Sequence, residues 1–234
     1  MIKNTFKIGN IPAILWGKDS NRIIIAVHGS HSSKSDDCMV ILAEEAVSMG
    51  YQVLNFDLPK HGDREDETAP CMVQACVEEL GKVLDFAKCR SESISVFGCS
   101  MGVYFILLAY KNETISQCLF LSPVTDMERI IHNIMDTCNV SEAQLQSEKT
   151  IENPIETLYW DYYCYVKEHP VDGWKHSTSI LYGEHDDLCE YACVSAFAKK
   201  NNCHLEVQEG GEHWFHTPEE LEYYRGWLKR TLKK

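Results

Sequence analysis

The chain has 234 residues, 44% hydrophobic and 24% charged, which is ordinary globular usage and enough for one domain with a sizeable core. Lys and Arg number 22 against 35 Asp and Glu, a formal net charge of −13. So acidic a chain lacks the clustered positive charge that phosphate backbones and anionic bilayers require, which argues against nucleic-acid and membrane-surface partners.

In chain order, residues 5–8 and 12–16 read as an antiparallel hairpin at one sheet edge. Residues 22–27 (RIIIAV) are a continuous apolar run stopped by His28-Gly29, the pattern of a strand buried on both faces. Apolar residues at helical spacing then run from about 34 to 49 and stop at Gly50. The unit repeats: strand 51–56, helix 70–88 with Pro70 in its first turn, strand 94–97, and helix 101–110 without a charge. Strands at 118–121, 179–182 and 204–207 follow, with helices at 188–199 and 218–232 behind the last two. Alternating strands and helices predict an α/β domain: a mostly parallel central sheet of about eight strands, covered on both faces by helices.

Residues 123–175 break this rhythm. They contain no strand run and are rich in Met, Ile and aromatics, so they are expected to form a helical lid inserted into a single domain spanning 1–234. No run of apolar residues is long enough to cross a membrane. The first twenty residues lack the charged, apolar and small-residue regions of a secretory leader. Eleven cysteines, an odd number without mini-protein spacing, fit free thiols in a cytoplasmic protein.

Gly98-Cys99-Ser100-Met101-Gly102 is the sharpest motif. It matches G-x-S-x-G between an apolar strand and an apolar helix, the context in which a serine occupies a strained turn with its hydroxyl clear of the sheet. The flanking glycines let strand and helix approach closely, and the Met101 N–H would lie at a helix N-terminus, where it can meet developing negative charge. The Cys99 side chain would point away from Ser100.

With three further motifs in order, the chain resembles the α/β-hydrolase superfamily. His28-Gly29-Ser30 is similar to the superfamily's H-G-x oxyanion loop. Residues 57–64 (DLPKHGDR) are similar to its D-x-P-G-H-G-x-S turn, with Lys60 in place of the usual Gly and Asp63-Arg64 departing from the common small residue. Gly183-Glu184-His185-Asp186 looks like the loop that supplies the acid. Gly210-Gly211-Glu212-His213-Trp214-Phe215 looks like the turn that supplies the base.

The resemblance implies a serine hydrolase cleaving small to medium acyl esters through an acyl-enzyme. Ser100 would attack, His213 would take its proton, Asp186 would orient His213, and the Ser30 and Met101 N–H groups would form the oxyanion hole. Asp187 and Asp126 remain alternatives to Asp186, and His216 is the rival of His213. A thioesterase, an acylglycerol lipase, an aminopeptidase, or a non-catalytic ligand-binding protein on the same scaffold are the competing readings. A cofactor-free haloperoxidase or C–C hydrolase is a further one.

The substrate pocket would draw on His28, Trp214, Phe215, Met127 and Trp160, although His28, like His61, is the residue type that also holds a loop by hydrogen bonds. No cofactor is expected, because neither G-x-G-x-x-G nor a P-loop occurs. No metal is expected either: Cys71-x4-Cys76, Cys189-x3-Cys193 and His213-x2-His216 are isolated pairs, and the cysteines read as small apolar helix residues. The partner is a small-molecule acyl substrate.

Overall fold

The computed structural model describes residues 1–233. In chain order the elements are β1 (Lys3–Ile8), β2 (Ile11–Trp16), β3 (Arg22–Val27), α1 (Asp37–Ser48), β4 (Gln52–Phe56), α2 (Val73–Lys88), β5 (Ser93–Cys99) and α3 (Met101–Ala109). They continue with β6 (Cys118–Leu121), α4 (Met127–Thr137), α5 (Glu142–Glu148), β7 (Thr150–Ile151), β8 (Leu158–Tyr159), α6 (Trp160–Glu168), β9 (Thr178–Gly183), α7 (Tyr191–Lys200), β10 (His204–Gln208) and α8 (Pro218–Thr231).

Eight strands form one sheet in the order β1-β2-β4-β3-β5-β6-β9-β10. The β1–β2 and β2–β4 pairs are antiparallel, and every pair from β4 to β10 is parallel. This is the mostly parallel sheet expected from the sequence. The β2, β3 and β4 residues are almost all buried, as strands covered on both faces must be.

Two apolar layers flank the sheet. One contains α1 and α8 residues such as Leu42, Ala46, Tyr224 and Trp227. The other holds α2, α3, the segment between β6 and β9, and α7. β3 connects to β4 on one side and pairs with β5 on the other, so the direction of winding reverses between β3 and β5. A parallel sheet opens a crevice outside the carboxyl ends of its strands at such a point.

Several boundaries differ from the sequence reading, for identifiable reasons. α1 starts at Asp37 rather than near 34, because the Lys34 side chain and N–H are both engaged by Asp57. α2 starts at Val73 rather than Pro70, and Cys71 therefore lies outside the helix. α7 starts at Tyr191 rather than Leu188, because the Asp186 carboxylate collects the Leu188 and Cys189 N–H groups into a turn. The segment after β6 is not purely helical: β7 and β8 pair as a two-stranded antiparallel ribbon inside it. Strands of two residues are too short to register as an alternating pattern.

Candidate active site

The turn between β5 and α3 places Ser100 at φ 49° and ψ −121°, a left-handed conformation that a non-glycine residue holds only where packing enforces it. Gly102 makes that packing possible. A Cβ there would stand 2.4 Å from the His28 carbonyl oxygen and 2.6 Å from that of Val27, so only glycine lets α3 start against the end of β3. The same fit brings the β3–α1 loop beside Ser100, since a Cβ on Gly29 would lie 3.0 Å from the Ser100 Cβ. The serine is mostly buried, and Cys99 packs on the opposite face with the α1 and α8 layer.

Two loops at the same edge reach Ser100. His213 Nε2 lies 2.9 Å from Ser100 Oγ, and His213 Nδ1 lies 2.8 Å from Asp186 Oδ2. The Asp186 side chain is fully buried, and its Oδ1 accepts the N–H groups of Leu188 at 3.0 Å and Cys189 at 2.7 Å. These amides fix the carboxylate so that its other oxygen faces the imidazole. A hydroxyl, an imidazole and a carboxylate in this order form a path along which a proton can leave Ser100.

Neither alternative carboxylate shares the arrangement. Asp126 caps α4 by accepting the Arg129 N–H at 2.9 Å, whereas the Asp186 carboxylate is the one that meets His213. His216 turns away as well: its Nδ1 faces the Trp214 carbonyl at 2.8 Å, and its ring stacks on Trp214.

Asp186, Cys189 and His213 also bring a carboxylate, a thiol and an imidazole within 4.8 Å of one another. Both ring nitrogens of His213 already face Asp186 and Ser100.

The loop carrying His213 is held by Glu220 of α8, a residue the sequence reading did not single out. Its carboxylate accepts N–H groups from Glu212, His216 and Thr217 and the Thr217 hydroxyl. Burial opposes ionisation of Glu220, but these donors outweigh it and keep the carboxyl below its ordinary range. The signal was present as Thr217-Pro218-Glu219-Glu220, a capping box in which Thr217 and Glu220 satisfy each other's backbone.

Neither the Ser30 N–H nor the Met101 N–H donates to a protein acceptor among the described residues. His28 is fully buried. Its Nε2 accepts the Leu58 N–H at 3.0 Å, which leaves the proton on Nδ1, 2.7 Å from the Gly29 carbonyl. Desolvation pushes its pKa down from 6.5 to about 4, against the pull of the Gly29 carbonyl.

Unfolded, this group takes up its proton near pH 6.5; folded, it does so near 4, so stability falls as pH falls across that window. Urea titrations at pH 7 and pH 5 should differ by about 2 kcal/mol from this group, a difference that His28→Asn should remove. An unchanged pH dependence in His28→Asn would contradict the assignment.

Lys34 is a second residue missed in the sequence. It is buried, and its ammonium bridges Asp57, fully buried at the end of β4, to Asp63. Asp57 also accepts the N–H groups of Lys34 and Asp63, each at 2.9 Å. Burial works against the Lys34 ammonium, but its two carboxylate partners raise its pKa above the ordinary lysine value. The ion pair ties the β3–α1 loop, which carries Ser30, to the β4–α2 loop.

No protein-family model matches the chain, and no curated protein sequence does. Among solved structures, a putative hydrolase from Agrobacterium vitis S4 is 17% identical, with a TM-score of 0.81 and 99% of both chains covered. Alpha/beta hydrolase domain-containing protein 10 from mouse is 13% identical, with a TM-score of 0.77 and 98% of both chains covered. The chain has the α/β-hydrolase fold. Est1E from Butyrivibrio proteoclasticus, in a structure with ferulic acid bound, is 20% identical with a TM-score of 0.74, covering 97% of this chain and 96% of that one.

Within the α/β-hydrolase fold the remaining expected residues separate. Trp214 is 67% exposed beside His213. Phe215 is 6% exposed and belongs to the apolar layer with Tyr224 and Trp227. Trp214 faces out and Phe215 faces in. Met127 is buried in the opposite layer with Ile131 and Tyr163. Trp160, half-buried, packs 5.8 Å from the Tyr163 ring with the Lys149 ammonium over its face.

A cavity of about 520 Å³ lies between the end of α4 and the loop before β8, lined by Thr137, Val140, Ile151, Asn153 and Ile155 and not by Ser100, Asp186 or His213. Among the described residues no helix is long and apolar enough to cross a membrane.

Proposed function

We propose that this protein is a serine hydrolase that cleaves carboxylic esters through an acyl-enzyme. The hydrogen-bonded chain from Ser100 through His213 to Asp186 carries this reading. Ser100 Oγ attacks the ester carbonyl carbon while His213 Nε2 takes its proton. The Asp186 carboxylate holds the neutral ring with its proton on Nδ1 and stabilises the imidazolium that forms. The Ser30 and Met101 N–H groups donate to the tetrahedral oxyanion, Met101 at the start of α3 where the helix dipole adds to the stabilisation. His213 then protonates the departing alcohol, and a water activated by the same imidazole releases the acid and restores Ser100.

Residues 123–175 act as the lid of this single domain. The tie between His31 of the β3–α1 loop and Glu156 of the insertion, 3.5 Å apart, supports this role. All eleven cysteines are free thiols, which supports a cytoplasmic site of action. The likeness to Est1E makes an ester of a hydroxycinnamic acid one natural member of the substrate series.

Turnover of p-nitrophenyl esters from acetate to long acyl chains, alongside a ferulate ester, tests the proposal. Wild type should hydrolyse at least the short esters, and Ser100→Ala should lose about 10⁶-fold in kcat. Wild-type inactivity on every ester, or Ser100→Ala turning over at the wild-type rate, would overturn it.

A further inference from the structure

A second group of reactive side chains stands apart from Ser100. The chain enters α2 in extended conformation at Met72, with φ −92° and ψ 143°, which leaves Cys71 outside the helix and Cys76 in its first turns. Their sulfurs approach to 3.4 Å without a bond. Cys71 is partly exposed, whereas Cys76 is buried.

His61 completes the cluster. Its Nδ1 lies 2.8 Å from the Pro59 carbonyl and donates there, and the imidazole helps to hold the Cys71 thiol below its ordinary range. The His61 ring is also 5.2 Å from His28, so the group borders the loop that carries Ser30. The remaining groups facing the pair are Arg64 and Glu79 near Cys76, and Glu156 and Tyr162 of the insertion.

The two thiols divide their protons unequally. The Cys76 S–H donating to Cys71, and then His61, hold the Cys71 thiol below its ordinary range despite burial. Cys76 is driven the other way by the same contact and by its own burial. A partly exposed thiolate, a proton-bearing thiol behind it and an imidazole acting on it are the parts of an attacking and a resolving cysteine.

We propose that Cys71 and Cys76 form a peroxide-responsive pair that closes to a reversible disulfide. The Cys71 thiolate attacks one peroxide oxygen; the O–O bond breaks and hydroxide leaves with the electron pair. The Cys71 sulfur is oxidised by two electrons to a sulfenic acid, and the peroxide is reduced. Cys76 sulfur then attacks the Cys71 sulfur, the S–S bond forms, the S–OH bond breaks, and the departing hydroxide takes the Cys76 proton as water. The sulfurs must close by about 1.4 Å to reach bonding distance. Closure draws Cys71 onto α2 and removes the thiolate that His61 faces. The inference does not depend on the esterase reading.

The test treats reduced wild-type protein with a small excess of hydrogen peroxide, blocks free thiols, and maps cysteines by mass spectrometry. Exposed Cys89 serves as the internal reference. The expected result is a Cys71–Cys76 disulfide that resists alkylation and is reopened by dithiothreitol while Cys89 stays reduced. Cys76→Ser should stop at a Cys71 sulfenic acid that dimedone traps, and Cys71→Ser should leave Cys76 reduced. In the untreated protein Cys71 should alkylate about tenfold faster than Cys89 at neutral pH. Oxidation of Cys89 before Cys71, or no dimedone adduct on Cys71 in Cys76→Ser, would overturn the proposal. The wild-type map decides it even where a variant fails to fold.

Discussion

Replacing Asp186 by asparagine is expected to lower kcat for ester hydrolysis by about 10⁴-fold while leaving the fold intact. The carboxylate uses Oδ1 for the Leu188 and Cys189 N–H groups and presents Oδ2 to His213. An asparagine keeps its carbonyl oxygen on those two amides and turns its NH₂ toward the imidazole. The NH₂ donates where the carboxylate accepted, so the ring places its own proton on Nε2, 2.9 Å from Ser100 Oγ, and can no longer take one from the serine. Asp187→Asn and Asp126→Asn should retain near-wild-type rates, because Asp186 is the carboxylate that meets His213 and Asp126 caps α4. Steady-state kinetics on a short p-nitrophenyl ester check this; equal losses from Asp186→Asn and Asp187→Asn would contradict it.

Lys34→Met should destabilise the protein by about 3–5 kcal/mol, the cost of stranding one member of a buried ion pair. Asp57 has no exposure to water, and among the described residues the Lys34 ammonium is the cation paired with its carboxylate. Methionine fills the volume of the lysine stem but leaves the carboxylate with amide donors alone. Neutralising both partners in Lys34→Met, Asp57→Asn should recover part of the loss, since the penalty belongs to the unpaired charge. Urea unfolding measures both variants. A loss under about 1 kcal/mol in Lys34→Met would mean that the pair contributes no more than a surface salt bridge.

The sheet and the three side chains that meet at its carboxyl edge could be read from the sequence because each rests on a local rule. Apolar runs ending in His28-Gly29 or Gly98 mark buried strands, and the order of Ser100, Asp186 and His213 follows the order of the loops. Glycine at 102 was legible because the elbow forces two backbones together, and the structure gives its Cβ no room.

What stayed hidden is non-local. Lys34 reads as an ordinary helix-start lysine until β4 brings Asp57 alongside it, 23 residues later in the chain. The burial of Phe215 has the same origin: His213 two residues earlier is in the site, but the side on which this aromatic falls is set by the packing of α8. Pro70, a good first-turn residue, makes Cys71 read as helical, yet the extended Met72 delays the helix by about one turn.

The most direct measurement is intact-protein mass spectrometry after treatment with a fluorophosphonate. A phosphonylated serine requires a nucleophilic hydroxyl with a base beside it and an oxyanion hole around the phosphoryl oxygen. Wild type should gain one phosphonyl group, mapped to Ser100, while Ser100→Ala gains none and His213→Ala reacts far more slowly. An unlabelled wild type, or a label on another residue that persists in Ser100→Ala, would contradict the assignment of Ser100 as the nucleophile.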